Sequence, residues 1–351
     1  MSDPTDDSKP PRQRRLRYRG THPRRFEEKY KELAPERYPE LISHVLARGK
    51  TPAGQHVPIM VEEALAALEP KPGERGVDAT LGWGGHAQRL LEALAPRGQL
   101  LALDADPVEL PRTEARLRRL GHGDAALRVT RTNFAGLRAA IDATGWHDGA
   151  DFILADLGVS SMQIDDPARG FSFSLEGPLD MRMNPHRGLS AAQWLERATA
   201  ETLAATLREH ADEPHALAVA EALYSRRGEL TTTRALANAV REALAGRVRD
   251  DDAESSVRRV FQALRIEVND EFGALDALLR QLPHGLRPGG RAVILTFHSG
   301  EDRRVKHAFA HGERDGVYAA VSHEVVRASA AEQRSNPRSR AAKLRWARRA
   351  S

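Results

Sequence analysis

Asp78-Ala79-Thr80-Leu81-Gly82-Trp83-Gly84-Gly85-His86 lies between a short apolar run and an amphipathic one, and Asp104 follows 22 residues after Gly82. The pattern reads as strand, glycine turn, helix, and a second strand ending in a carboxylate. Glycines let the backbone fold tightly and approach a ligand. The first turn of the following helix presents free N–H groups, and a carboxylate ending the next strand can bind ribose hydroxyls. These residues describe a nucleotide-cofactor site at the rim of a parallel sheet.

Outward from this stretch, strand-like runs fall at Gly76 to Thr80, Leu100 to Asp104, Leu127 to Thr130, Phe152 to Asp156 and Ala292 to Phe297. Helical periodicity covers Ile59 to Leu68, His86 to Leu94, Pro107 to Leu120 and Leu275 to Leu282. Alternation of short apolar strands with helices predicts a doubly wound parallel sheet. The gap between the fourth and fifth strands is too long for one crossover. Its mostly helical sequence, with a capping box at Ser190 and Gln193, predicts an inserted helical domain over the carboxyl ends of the strands. Near the C-terminus Ala342, Leu344 and Trp346 alternate with Lys343, Arg345 and Ala347, which predicts a half-buried strand with Val317 to Val326 as its hairpin partner. The expected divisions are a basic extension over 1–55, a first core part over 56–161, the insertion over 162–255 and a second core part over 256–351.

Composition narrows the class. The 351 residues contain no cysteine, so disulfides and thiolate metal sites are excluded, and a reducing cytoplasm is the expected compartment. No apolar run is long enough to span a membrane, and the acidic, then arginine-rich N-terminus is unlike an export signal. The net charge is only +4, yet Lys9 to Arg25 hold eight basic side chains and no acid, and Arg334 to Arg349 hold seven on the same terms. Basic ends on a globular core are the electrostatic footprint of a phosphate-backbone binder; a solvated tail is the plainer reading of the first 20 residues. Ahead of the core, Phe26, Tyr30 and Leu33, then Pro39 to Arg48, have helical spacing, and Thr51 to Gly54 reads as a linker.

Gly82, Gly84 and Ala87 also satisfy the dinucleotide pattern G-x-G-x-x-A, so the turn alone permits a dehydrogenase. Five parallel strands closed by a hairpin point instead to a Rossmann-like, class I S-adenosylmethionine-dependent methyltransferase sheet. In that setting Asp104 takes the ribose hydroxyls and the glycine turn faces the methionine part. The fourth strand ends in Asp156-Leu157-Gly158-Val159-Ser160-Ser161-Met162-Gln163. Enzymes that methylate exocyclic base amines place a short acidic or amide motif here. The amine lone pair is delocalised into the ring, and a positioned carboxylate or carbonyl favours the reactive geometry. Asp156 suits that task, although the Pro-Pro-aromatic form is absent; an Asp merely capping the strand is the alternative.

The sequence resembles the RsmH (MraW) family from His56 almost to the C-terminus. The matching motifs are His56-Val57-Pro58, Asp78 to His86, Asp104-Ala105-Asp106-Pro107, Asn133-Phe134, Asp156 to Ser161, Asp165-Asp166 with Arg169 to Phe173, and Gly177 to Met183. Phe261 to Ile266, Phe297-His298-Ser299 with Glu301 to Arg303, and Asn336 to Arg340 continue the series. The resemblance implies methyl transfer from S-adenosylmethionine to the N4 amine of a cytidine in the decoding region of 16S rRNA, presented on the small ribosomal subunit, and leaves room for a homodimer. It implies no metal. Gly84, Gly85, His86, Asp104, Phe134, Asp156 and Gln163 match its cofactor positions, with Phe134 against the adenine. Asp156 and His298 are the catalytic candidates; Phe171, Phe173, Asp180, Arg182 and Arg259 are the substrate candidates. Plain packing is the competing expectation for the phenylalanines, and a satisfied strand-end histidine for His298. The chain departs from the family pattern at Ser255-Ser256-Val257-Arg258, at Gly300 where leucine is usual, and in residues 1–55. A same-fold RNA methyltransferase with a shifted target, and a ribosome-assembly factor without turnover, are the alternatives.

Overall fold

The structure is a computed structural model that describes residues 58–351. The helices expected over 26–48, the linker at 51–54 and the basic run at 9–25 lie outside the described residues.

Seven strands form one sheet in the order β3-β2-β1-β4-β5-β7-β6. They are β1 Arg75–Asp78, β2 Gln99–Asp104, β3 Leu127–Arg131, β4 Ala150–Asp156, β5 Leu286–Thr296, β6 Tyr318–Val321 and β7 Lys343–Arg349. The first five are parallel; β7 runs antiparallel between β5 and β6. This is the methyltransferase sheet with its terminal hairpin. Leu100, Leu101, Leu103, Leu154 and Val293 are fully buried because both faces of the sheet are covered, as their unbroken apolar runs require.

On one face lie α1 Val61–Leu68, α2 Gly85–Leu94 and α3 Glu109–Arg119, which bury Leu68, Leu90, Leu94 and Leu117. On the other lie α4 Leu137–Ala143, α11 Glu271–Gly285 and α12 Ser299–Arg314, which bury Ile141, Leu278, Leu282 and Phe309. Hydrophobic periodicity in the sequence does not reveal α4 or α12. One is only seven residues long, and the other hides two core residues, Val305 and Phe309, among charged ones.

The insertion consists of α5 Ser161–Asp165, α6 Ala191–Arg197, α7 Ala200–Ala211, α8 Ala216–Ser225, α9 Thr233–Leu244 and α10 Asp250–Asn269. It has its own core, built from Leu195, Leu207, Leu223, Val240, Val260 and Leu264 among others. A limit at 255 therefore falls inside α10, whose buried face continues in that core to Leu264. Ser190 caps α6 in a box with Gln193, as its sequence predicts.

Two departures from the family pattern gain a physical account. Ser256 and Val257 are fully buried, and Ser256 Oγ donates to Glu213 Oε1 at 2.8 Å, so half of the altered segment packs the insertion. At Gly300 an added Cβ would lie 2.6 Å from the Phe272 ring. That ring, stacked on Arg304, fills the space that a larger residue at 300 would take.

The C-terminal basic run is not a free arm. Lys343 and Arg345 both pair with Asp302, at 3.0 and 2.6 Å, and Arg338 pairs with Asp165 at 3.0 Å. These charges fasten β7 to α12 and the last loop to α5. Among the described residues no helix is long and apolar enough to cross a membrane.

Candidate active site

The order of the strands reverses between β1 and β4, and both end in an aspartate, as β2 does. A parallel sheet leaves a crevice at such a point. A cavity of about 420 Å³ opens there, walled by the glycine turn, the ends of β2 and β4, the turn after β3, and residues of α10 to α12.

Asp104 organises the cofactor side. Its Oδ2 accepts the Gly82 N–H at 2.7 Å and its Oδ1 the Asp106 N–H at 2.8 Å. Burial raises its pKa, and the two N–H groups oppose that shift. Each carboxylate oxygen retains a further lone pair for a hydroxyl donor. Phe134 begins the turn after β3 and lines the same cavity.

The glycines divide their roles. Gly82 has φ +49° and open space at its missing Cβ, with the Thr80 carbonyl 3.8 Å away. A Cβ on Gly84, at φ +75°, would lie 2.9 Å from Thr113 Cγ2, and one on Gly85 would lie 2.1 Å from Pro58 Cγ. Gly84 and Gly85 line the cavity, but their lack of side chains serves close packing of α3 and of Pro58 onto the turn. Gly85→Ala should accordingly push Pro58 and Ile59 away and break the 3.0 Å contact between His86 Nε2 and the Ile59 carbonyl. The expected cost is about 1–3 kcal/mol of stability, seen as a lower melting temperature together with weaker cofactor binding. An unchanged melting curve would show that Pro58 moves freely.

Asp156 faces the cavity from the end of β4, with 28% of its side chain open. Its backbone N–H donates to Thr80 Oγ1 at 2.6 Å, and the Thr80 N–H donates to Asp78 Oδ1 at 3.1 Å, so β1 and β4 are tied at their tips. Burial, then the charges of Asp78 and Glu301, push the Asp156 carboxyl up to about 8. Burial pushes Asp78 up to about 7 and His86 down to about 4. His86 is therefore neutral at pH 7, and with its Nε2–H on Ile59 its Nδ1 lone pair faces Asp156 Oδ2 at 3.7 Å.

Gln163 lines the cavity, and each end of its amide makes one hydrogen bond within the protein. Its Oε1 accepts from the Ser160 N–H at 2.9 Å in a capping box, and its Nε2 donates to Asp106 Oδ2 at 2.7 Å. Arg169 holds the same oxygen at 2.9 Å. Gln163 thus fastens α5 to the loop after β2.

His298 does not line the cavity. It is the N-cap of α12, with Nδ1 accepting from the Glu301 N–H at 3.4 Å and Nε2 3.2 Å from Glu301 Oε1. Glu301 is the member of that motif which reaches the cavity. Burial pushes its carboxyl up, but His298, Arg265 and the Phe297 N–H outweigh burial and hold it low.

The substrate candidates also lie elsewhere. Phe171 is in the insertion core, and Phe173 meets Phe261 edge to face at 5.5 Å. Asp180 and Arg182 pair with each other at 2.6 Å, and Arg259 lies 3.7 Å from Glu213. None of these five lines the cavity. The strap from Arg169 to Met183 is tied to the end of α10: the Met183 N–H donates to Asn269 Oδ1 at 2.7 Å, and Asn269 Nδ2 donates to the Met181 carbonyl at 2.8 Å. Met183 does reach the cavity.

The structure adds Arg265 and Asn269 of α10, Glu271 of α11 and Arg338. Arg265 grips Glu271 through Nε–Oε1 at 2.7 Å and Nη2–Oε2 at 2.8 Å. Ligand atoms of Glu271, His298 and Glu301 lie within 4.8 Å of one another, and the guanidinium already engages both oxygens of Glu271. Arg265 and Arg338 belong to motifs visible in the sequence, but nothing in their spacing indicates that they face one cavity.

The donor set fits a nucleoside bearing an amino-acid tail. Asp104 can take ribose hydroxyls, and Phe134, Leu157 and Leu275 offer apolar surface to a base. Near the glycine turn the buried Trp83 Nε1, and around the cavity Glu109 Oε2 and Asp156 Oδ1, have no hydrogen-bond partner among the described residues. Buried polar atoms seldom stay unpaired without a ligand or water.

The profile of the MraW methylase family matches residues 53–350. A protein of Lachnoclostridium phytofermentans named "Ribosomal RNA small subunit methyltransferase H 1" is 46% identical over 98% of this chain and 95% of its own. "Ribosomal RNA small subunit methyltransferase H 2" of Alkaliphilus metalliredigens is 48% identical over 97% of this chain and 99% of its own. A third relative, "Ribosomal RNA small subunit methyltransferase H" of Thioalkalivibrio sulfidiphilus, is 41% identical and covers 85% of this chain but 98% of its own. The first two alignments leave fewer residues uncovered than the basic extension contains. The alignment to the third relative leaves uncovered about as many residues of this chain as the extension contains.

Proposed function

The chain belongs to the MraW methylase family, and from that premise we propose that it methylates the exocyclic N4 of a cytidine in the decoding region of 16S rRNA. The methyl donor is S-adenosylmethionine, which supplies an electrophilic methyl group on a sulfonium. The observation that carries the reading is Asp156, a cavity-facing carboxyl at the β4 tip, across the same space from Asp104 and the glycine turn.

The chain's own groups divide the work. Asp104 and Phe134 hold the nucleoside part of the donor, and the turn from Gly82 to His86 closes on its tail. Asp156, as carboxylate, accepts a hydrogen bond from the N4 amine and orients its lone pair toward the methyl carbon. The bound donor would supply the methyl group and keep the electron pair of its C–S bond as a thioether; N4 would give up one proton in exchange, and Asp156, which faces the cavity, can hold it. Its elevated pKa suits a base that must take up a proton near neutrality. The intact glycine turn with Asp104 and the cavity-facing carboxyl of Asp156 favour an enzyme over an assembly factor that binds RNA and cofactor without turnover. Thr80, His86 and Asp78 act through Asp156, so they are positioning residues.

The reading is tested by nucleoside mass spectrometry of 16S rRNA from cells with and without the gene. N4-methylcytidine should disappear from the decoding region in the deletion strain. Its persistence there would overturn the assignment.

The substrate is expected to be 16S rRNA in a small-subunit particle, met in the cytoplasm. The basic run at 9–25 supplies additional phosphate contacts. Deletion of residues 1–25 should weaken particle binding and flatten its dependence on salt, because each phosphate neutralised by the protein adds about one unit to the log–log salt slope. Cofactor affinity should stay as it was. An unaltered slope would leave the extension without that role.

A further inference from the structure

We propose that Arg265 reads the O2 and N3 acceptors of the target cytosine, with Glu271 as its positioning residue; the inference rests on the cytosine-N4 reading above. Arg265 projects from the last turns of α10 into the cavity that Asp156 enters from β4. Nε and one N–H of Nη2 bind Glu271, at 2.7 and 2.8 Å, which fixes the plane of the guanidinium. The two N–H groups of Nη1 and the second of Nη2 have no hydrogen-bond partner among the described residues. They are the donors that this guanidinium has left for a ligand.

Glu301 links the two walls. It is close enough to Asp156 to hinder that carboxyl's ionisation, and close enough to Arg265 to be stabilised by it. Its Oε2 is held by the Phe297 N–H at 2.8 Å, so it stays in place as a spacer. A ligand between Asp156 and Arg265 therefore meets an acceptor at one end and a pair of donors at the other.

One edge of cytosine has that order: an amine that donates, then N3 and O2 that accept. A guanidinium has donors only, so it can meet N3 and O2 and never an N–H. Uracil presents N3–H to Arg265 and a carbonyl to Asp156, which mismatches both. Adenine matches the amine and the ring nitrogen but has no oxygen at C2, so one Nη1 donor remains unpaired. Discrimination by a paired donor set of this kind is about tenfold to a hundredfold.

The test uses the full-length enzyme and small-subunit particles reconstituted with 16S rRNA carrying cytidine, 3-deazacytidine or 2-thiocytidine at the methylated position. For wild type, kcat/KM should fall about tenfold to a hundredfold with either analogue. Arg265→Ala should lose a similar factor on cytidine particles and then be nearly indifferent to the analogues. Arg265→Lys should not restore the preference, and Glu271→Gln should reduce it, with S-adenosylhomocysteine affinity within about twofold of wild type by calorimetry for all three. A misfolded variant would lose cofactor affinity and scale all substrates down together, whereas the proposal requires the ratio between substrates to collapse. If Arg265→Ala keeps the wild-type ratio, Arg265 does not read the base. If wild type puts no methyl group on N4 of the cytidine particles, it is the cytosine-N4 reading itself that fails.

Discussion

Asp156→Asn is expected to lower kcat by about 10²- to 10⁴-fold, the range for loss of a positioned general base, with KM for the particle and cofactor affinity little changed. Asparagine keeps the shape of the side chain, and the backbone N–H still reaches Thr80 Oγ1, so the fold should survive. The wild-type pH profile supplies the sharper test. Burial, with Asp78 and Glu301 adding to it, pushes the carboxyl up to about 8, so below that pH it is mainly protonated and cannot accept the amine proton. The rate should therefore rise with pH, by up to tenfold per unit, and level off once the carboxylate predominates. Bound sulfonium carries positive charge and draws this limb to lower pH. The variant should show no such limb. Full activity in Asp156→Asn, or a wild-type rate that is flat with pH below the limb, would remove Asp156 from catalysis.

Asp104→Ala should weaken binding of S-adenosylhomocysteine by about a hundredfold or more. Two effects combine. The ribose hydroxyls lose a charged acceptor, each such bond being worth about 1.5–3 kcal/mol, and the N–H groups of Gly82 and Asp106 lose the carboxylate that fixes the turn and the loop after β2. Asp104→Asn keeps one carbonyl acceptor and should fall between alanine and wild type. Calorimetry measures both, and binding to small-subunit particles without cofactor serves as the control, since Asp104 stands on the cofactor side. Cofactor affinity within a few-fold of wild type in Asp104→Ala would mean that the ribose is held elsewhere.

The two variants probe groups that the sequence exposes clearly. Asp104 and Asp156 both end apolar strands, and a strand that runs to a parallel sheet's carboxyl edge delivers its last side chain to the crevice. Local order along the chain is enough to place them. Gly84 and Gly85 were legible as necessary glycines, but the reason differed: Thr113 and Pro58, distant along the chain, occupy the space beside them. The aromatic strap illustrates the opposite case. Phe171 and Phe173 sit among glycines and charges in the sequence, which suggests exposure, yet Phe171 is buried in the insertion's core and Phe173 packs half-buried against it. His298 and Glu301 are one helical turn apart, and only the direction in which α12 leaves β5 determines that the glutamate reaches the cavity and the histidine caps the helix.

The sequence by itself determined the parallel sheet, its terminal hairpin, the helical insertion, the glycine turn and the carboxylates at the strand tips. These follow from hydrophobic period, turn residues and short-range spacing, all of which are local. The tertiary structure decided which charges are spent on one another and which remain for a ligand. Arg182, Lys343 and Arg345 are neutralised by Asp180 and Asp302, whereas Arg265 grips Glu271 and, among the described residues, has no hydrogen-bond partner for Nη1. The physical reason is that a side chain's partners depend on where α10, α11 and α12 cross the ends of β4 and β5. No pattern along the chain encodes that crossing.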